Sequence, residues 1–325
     1  MSLGAAKRAV KQTFAAPLGW RLLGPLVRPP GVVVLMYHRI VDRDRSLVGL
    51  PIEIFAAQMR WVRDNCDPIE PEAIGERVRD GRRGKPAVLV TFDDGYRDYH
   101  DLAYPVLEKL GIPAVVFLAT SFMDEGGMMW TDEVQWAALS TQRARVKLPW
   151  AAADGEIALP DAAARAALGA KARGHLKKLP DEERRAAVKA LVAELGAPPA
   201  RDRLMLTWDE VRATSGLTRF GGHSHTHPIL SRLERAAAER EIRTCRDRIA
   251  AETGKTPTTF AYPNGQPADY TGETQEILRA HGFTTVYATT EGIAGADTDW
   301  MAIRRLAGDT EDLAQFAWLA TGRSG

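Results

Sequence analysis

Two neighbouring carboxylates, Asp93 and Asp94, end an apolar run in Thr91-Phe92-Asp93-Asp94-Gly95. Side by side they repel each other unless a cation or a shared proton intervenes. A plainer use is also open, since Asp caps helices well and Gly95 permits a tight bend. Further on, Gly221-Gly222-His223-Ser224-His225-Thr226-His227-Pro228 holds three histidines within five residues, in a chain that has only seven. His223 and His227 are four apart, a spacing that on a helical turn aims both imidazoles the same way. Two histidines and one carboxylate form a common divalent-metal set that leaves positions open for water and substrate. His225 points elsewhere on such a turn, and a polar loop of hydrogen-bonding histidines is the alternative reading. A third run, Phe260-Ala261-Tyr262-Pro263-Asn264-Gly265, ends a strand-like segment in a Pro-Asn-Gly turn. It is either a tight connection or a device that aims a backbone N–H at a developing oxyanion.

Residues so far apart need a frame that gathers them on one rim. Short β-branched or aromatic runs recur at 32–37, 87–92, 114–118, 218–221, 258–262, 285–288 and 301–306. Most are apolar throughout rather than alternating, as in parallel strands buried on both faces. Helical patterns lie between them at about 53–65, 103–110, 232–253 and 271–281. Gly111, Gly254 and Gly282 follow the last three, where a helix end favours glycine. About seven strands alternating with helices predict a parallel α/β barrel, closed or incomplete, with its chemistry at the strand C-termini. From Trp130 to about residue 205 the rhythm breaks. This stretch is rich in Ala, Arg and Lys and reads as a helical insertion between two barrel strands, with one polar interruption near 153–159.

With 325 residues, 45% of them hydrophobic, the chain can bury a sizeable core. A net charge of +1 offers no basic field for nucleic acid. Cys66 and Cys245 are too few for a disulfide framework, and Cys245 shares a helical apolar face with Ile242 and Ile249, so it reads as a core thiol. Residues 1–31 stand apart from the main domain at 32–325. Lys7, Arg8, Lys11, Arg21 and Arg28 all precede the first acid, Asp42, and Leu18, Trp20, Leu22 and Leu23 supply apolar area. These apolar runs are too short for a transmembrane helix or a signal-peptide core, which makes the cytoplasm the default compartment. The segment reads either as a peripheral anchor on an anionic membrane or as a helix packed on the main domain.

The run TFDDGYRDYHDLAYPVLEKLGIPAVVFLAT, then GGHSHTHPIL, then FAYPNG, in this order, resembles the polysaccharide deacetylases of carbohydrate esterase family four. The similarity runs from about residue 32 to residue 306. It implies a distorted (β/α)7 barrel with the helical insertion added. It also implies a divalent metal, zinc first with cobalt, nickel, manganese or iron as alternatives, held by Asp94, His223 and His227. Asp93 becomes the general base and the Asn264 backbone N–H the oxyanion donor. Two departures stand out. Where many members carry Arg and Tyr in the third motif, this chain has Ala261 and Asn264, so the base needs another orienting cation. Arg305 is nominated because it is similar to an arginine at that place in the FAYPxG subgroup. The C-terminal LxxH motif that carries the general acid is absent. Leu35-Met36-Tyr37-His38 instead is similar to the YH of the poly-N-acetylglucosamine deacetylase branch, which makes His38 the acid.

The implied reaction is hydrolysis of the N-acetyl group of an amino sugar in a glycan or a lipid-linked glycan precursor. A small non-sugar amide or cyclic ureide is the alternative substrate, and a non-catalytic glycan-binding protein is the alternative of a different class. Asp297-Thr298-Asp299-Trp300 matches a DxxDW family motif only in letters. Trp130 and Trp208, which flank the insertion, suit a core or hinge role as well as sugar stacking.

Overall fold

The apolar runs form seven strands that close into one barrel in a computed structural model describing residues 29–42, 48–81, 84–150, 155–198 and 203–322. They are β1 (Val32–Tyr37), β2 (Ala87–Phe92), β3 (Ala114–Leu118), β4 (Thr218–Gly222), β5 (Thr259–Ala261), β6 (Thr285–Glu291) and β7 (Ile303–Ala307). Every neighbouring pair is parallel, and β7 returns to β1 through Leu35 opposite Leu306 and Met36 opposite Ala307. This is the distorted (β/α)7 barrel. A two-residue strand, Asp67–Pro68, adds to the N-terminal end of β2. The basic segment 1–31 lies outside the described residues as far as residue 28. Among the described residues no helix is long and apolar enough to cross a membrane.

Side chains alternate across a strand, so each strand sends every second residue into the barrel. Val32, Val34, Ala87, Leu89, Val115, Phe117, Ala261, Tyr287 and Ile303 fill the interior as one apolar cluster. The same parity, continued toward the strand C-termini, reaches His38 from Val34, Asp93 from Leu89 and Arg305 from Ile303. The barrel is therefore plugged with hydrocarbon below and polar above. Intervening residues face the helices. Tyr37 and Phe92 on the outside meet Phe55 of α1 (Ile52–Asn65) at ring-centroid distances of 5.3 and 5.7 Å. Phe92 also meets Tyr99 at 4.8 Å, one turn before α2 (Tyr104–Leu110). Such pairs contribute about 0.5–1.5 kcal/mol each beyond the area they bury. On the far side, Phe260, Tyr262 and Val286 pack with Ile242 of α3 (Arg235–Thr253) and with Ile277 and Leu278 of α4 (Gly272–Ala280). Cys245 is buried on that same α3 face, and burial pushes its thiol up to about 12, so it is an inert core residue.

Gly221 marks a tight point in the barrel wall. A Cβ there would lie 2.6 Å from both the Phe117 ring and the Thr259 hydroxyl. Gly221→Ala is expected to destabilise the fold by about 1–3 kcal/mol through overpacking, read as a lower urea midpoint. An unchanged midpoint would show that the barrel wall yields at this point.

Residues up to Asp124 and from Leu206 onward form one compact unit, and Glu125–Met205 form a second. Within the second, helices Trp130–Ser140, Ala162–Leu176 and Asp181–Leu195 enclose their own core of Val134, Leu168, Ala172, Val188, Leu191 and Leu195. Asp161 caps the middle helix by accepting the Ala164 N–H at 2.8 Å. The expected polar interruption needs correcting, because it is an antiparallel hairpin of Arg145–Lys147 with Glu156–Ala158. Val146 and Leu148 are buried while Arg145 and Lys147 are exposed, a period of two that forms a strand rather than a helix.

Candidate active site

The C-terminal rim of the barrel gathers all three motifs. Asp93 follows β2 and is held against the end of β1 by its N–H, which donates to the Tyr37 carbonyl at 2.9 Å; His38 is the first residue after β1. Its carboxylate is gripped by Arg305 of β7 in a two-pronged pair, Nη1 to Oδ1 and Nη2 to Oδ2, each 2.7 Å. Arg305 is itself locked, with Nε donating to the Ala288 carbonyl at 2.9 Å and Nη1 to the Thr91 hydroxyl at 3.2 Å. Both charges are almost wholly buried, Asp93 2% and Arg305 1% exposed. Burial pushes the Asp93 carboxyl up, but Arg305, and then His223, outweigh it and hold Asp93 below the usual carboxylate range. A buried pair with this geometry keeps its carboxylate ionised and fixed in direction.

Asp94 turns the other way. Its φ of +76° lies in the left-handed region, and Gly95 follows at +83°, where a Cβ would meet Met123 Cε at 2.7 Å and Leu118 Cδ2 at 2.9 Å. Adjacent aspartates thus part, one to Arg305 and one to the histidines. Asp94 Oδ1 lies 3.3 Å from His223 Nε2 and 3.3 Å from His227 Nε2, and the two Nε2 atoms are 3.2 Å apart. Donor atoms around a tetrahedral zinc at its usual bond lengths stand roughly 3.3 Å apart. The three residues therefore fit a divalent cation, and they form a ready ligand group. His223 Nδ1 donates to the Ala261 carbonyl at 2.7 Å, which fixes the ring with Nε2 facing the group. Burial pushes Asp94 up, but the His223 hydrogen bond and His227 carry it well below the usual range. Burial, with His223 beside it, takes the His227 imidazole down to about 3, so it stands neutral and able to ligate.

The histidine segment corrects one expectation. His223 to His227 is not a helical turn. Ser224 and His227 have φ of +62° and +58°, and these left-handed residues fold a loop that swings His227 back onto His223. The Ser224 hydroxyl accepts the His227 N–H at 3.0 Å. His225 points away, its Nδ1 2.9 Å from the Thr120 hydroxyl. Among the described residues, non-glycine positive φ occurs at four places, Asp94, Ser224, His227 and Asn264, all in this site. Strain of that kind persists only where the surroundings enforce it.

At Asn264 the φ of +60° closes a tight turn in which Gly265 N–H donates to the Pro263 carbonyl at 2.8 Å. The Thr289 hydroxyl donates to the Asn264 carbonyl at 2.7 Å and pins the turn to β6. Asn264 N–H has no acceptor among the described residues. His38, 48% exposed, borders the same rim with Nε2 3.9 Å from Asp93 Oδ2. All seven nominated residues thus lie at the strand C-termini. Thr91, Ser224 and Glu241, which brace them, were not singled out from sequence. Trp208 is buried with its indole N–H on Asp124 at 2.7 Å, which gives it a packing role.

The fold and site together define a closed seven-stranded parallel (β/α)7 barrel whose rim carries an Asp-His-His group that could hold a cation, beside an arginine-bound carboxylate. The family model described as polysaccharide deacetylase matches residues 80–157 and 178–286, and the chain belongs to that family. YxkH of Bacillus subtilis (strain 168), whose name places it among polysaccharide deacetylases, is 39% identical over 93 residues. The poly-beta-1,6-N-acetyl-D-glucosamine N-deacetylase of Escherichia coli (strain K12) is 30% identical over 100 residues. The aligned stretches cover 28% and 29% of this chain, and only 33% and 15% of those proteins. In overall fold the chain is similar to the Streptococcus pyogenes deacetylase PplD, solved with acetate, at a TM-score of 0.58 and 17% identity, over 86% of this chain and 92% of that one.

Proposed function

We propose that the chain removes the N-acetyl group from an amino sugar within a glycan, releasing acetate, with a divalent metal, zinc first, held by Asp94, His223 and His227. The observation that carries this reading is the pairing of the buried Asp93–Arg305 couple with the Asp94-His223-His227 group on one rim. Membership of the polysaccharide deacetylase family supports hydrolysis of this class, and the name of the Escherichia coli relative supports an N-acetylated sugar polymer. A lipid-linked sugar fits the same chemistry, on the strength of the basic amphipathic residues 1–31.

A cation held by Asp94, His223 and His227 would supply Lewis-acid polarisation of the acetamide carbonyl. Asp93, ionised, has a lone pair left on each oxygen beyond its bonds to Arg305, and takes a proton from the attacking water. The water oxygen bonds to the carbonyl carbon, and the Asn264 N–H donates to the oxyanion that develops. His38, protonated, gives its proton to the sugar nitrogen as the C–N bond breaks, leaving acetate and a free amine. Arg305 does not touch substrate and acts by aiming Asp93.

Purified protein is expected to hold about one divalent ion per chain, to release acetate from N-acetylated glucosamine oligomers, and to lose that activity on chelation. Zinc should restore it, and His223→Ala should hold no stoichiometric metal. Undiminished acetate release by the chelated protein would sink the metal reading. Release of ammonia in place of acetate would sink the sugar-deacetylase reading.

A further inference from the structure

Glu241 lies on α3, outside every motif that marks the site, yet its carboxylate closes on the loop between the two histidine ligands. Oε2 accepts the N–H groups of His225 at 2.9 Å and Thr226 at 2.7 Å, and Oε1 accepts the Thr226 hydroxyl at 2.8 Å. Three donors converge on one charged acceptor, an arrangement stronger than the same bonds to a neutral group. The loop it clamps is strained at both ends, with Ser224 and His227 in the left-handed region.

The two ligands are braced unequally. His223 sits one residue beyond β4 and is oriented through its Nδ1 by the Ala261 carbonyl. His227 Nδ1 has no hydrogen-bond partner among the described residues. Apart from its contacts with Asp94 and His223 inside the group, its ring is aimed by the backbone, through its φ of +58° and its N–H on Ser224 Oγ. Whatever holds residues 224–226 in place therefore sets where His227 Nε2 arrives. Ser224 is tied from one side, its carbonyl accepting the Thr120 N–H at 3.4 Å, and the His225 carbonyl accepts the Ser121 N–H at 2.9 Å. Glu241 supplies the tie from the other side.

We propose that Glu241 is a positioning residue that sets metal affinity by holding the His225–Thr226 backbone so that His227 completes the ligand group. The assignment rests on the metal reading of Asp94, His223 and His227. It assigns Glu241 no contact with substrate.

The test measures zinc affinity of the purified full chain by competition with a chromophoric chelator, alongside thermal unfolding of the chelated protein. Glu241→Ala is expected to bind zinc about 10–100-fold more weakly than the parent, the usual cost of losing a group that braces a ligand. A role confined to fold stability would lower the unfolding temperature of the chelated protein and leave the affinity of the folded fraction at the parent value; that result overturns the proposal. Should Glu241→Ala not fold, Glu241→Gln decides, since the amide keeps the shape and loses the charge. Weaker zinc binding at unchanged stability then supports the assignment, and parent affinity overturns it. A parent that binds no divalent ion fails the metal reading itself and takes this proposal with it.

Discussion

Asp93→Asn is expected to lower kcat by about 10²–10⁴-fold, the range that general-base catalysis supplies, while leaving zinc content at the parent level. Asparagine keeps the shape of the carboxylate but cannot take a proton from water. It also offers one acceptor oxygen where Arg305 now engages two. Arg305 would then stand buried without a counter-charge, and breaking one side of a buried pair costs about 3–5 kcal/mol. Rates must accordingly be read at a temperature where the variant is shown by circular dichroism to be folded. Folded, metal-loaded Asp93→Asn protein with more than about a tenth of parent activity, far above the residue left after loss of a base, would move the base role elsewhere.

The second large effect is expected at Arg305. Arg305→Met keeps an unbranched side chain in the barrel and removes the cation. For Asp93, burial pushes the carboxyl up and Arg305 pulls it down, with the pull winning in the parent. Without Arg305 the burial is opposed mainly by His223, and the pKa of Asp93 rises. The acid limb of the kcat/KM profile should therefore move to higher pH, and part of the lost activity should return on the alkaline side. Each unit of that movement corresponds to about 1.4 kcal/mol.

Stability should respond to acid less steeply in the variant than in the parent. In the parent, the folded pKa of Asp93 lies below its unfolded value. The pair's contribution is thus fully present above the unfolded value and fades as pH falls through the folded one. In Arg305→Met the folded value is raised toward the unfolded one, so acidification costs the variant less stability than it costs the parent. Urea unfolding at about pH 3.5, just below the usual unfolded carboxyl value, and at pH 7.5 compares the two. The double variant Asp93→Asn with Arg305→Met should be less destabilised than the sum of its parts, because no lone buried charge remains. Strict additivity would mean that the pair is not coupled.

Much of this site could be read from residue types and strand ends. Asp93 and Asp94 close a fully apolar run, and a buried parallel strand ending in two acids has few structural uses. The run from His223 to His227 follows the end of β4, and His38 follows the apolar β1. Alternation along the strands does the rest, since it turns Asp93 and Arg305 inward on the parity of Leu89 and Ile303. Periodicity is local, so it is visible without coordinates.

What residue order leaves open is who meets whom. Asp93 and Arg305 are 212 residues apart, and their bidentate fit depends on the register of seven strands closing at β1 and β7. The spacing of His223 and His227 is consistent with a helical turn, yet two left-handed residues make the loop. Such strain is set by surrounding contacts, so propensities miss it. Glu241 shows the limit most clearly. In the sequence it is one more acid on a solvated helix, like Glu239 or Glu252. Its meaning arises only when α3 packs against the barrel and three donors from another segment converge on its carboxylate. Short-range preferences place the chemical groups at the ends of elements; the closure of the barrel and the packing of helices on it bring those groups within bonding distance.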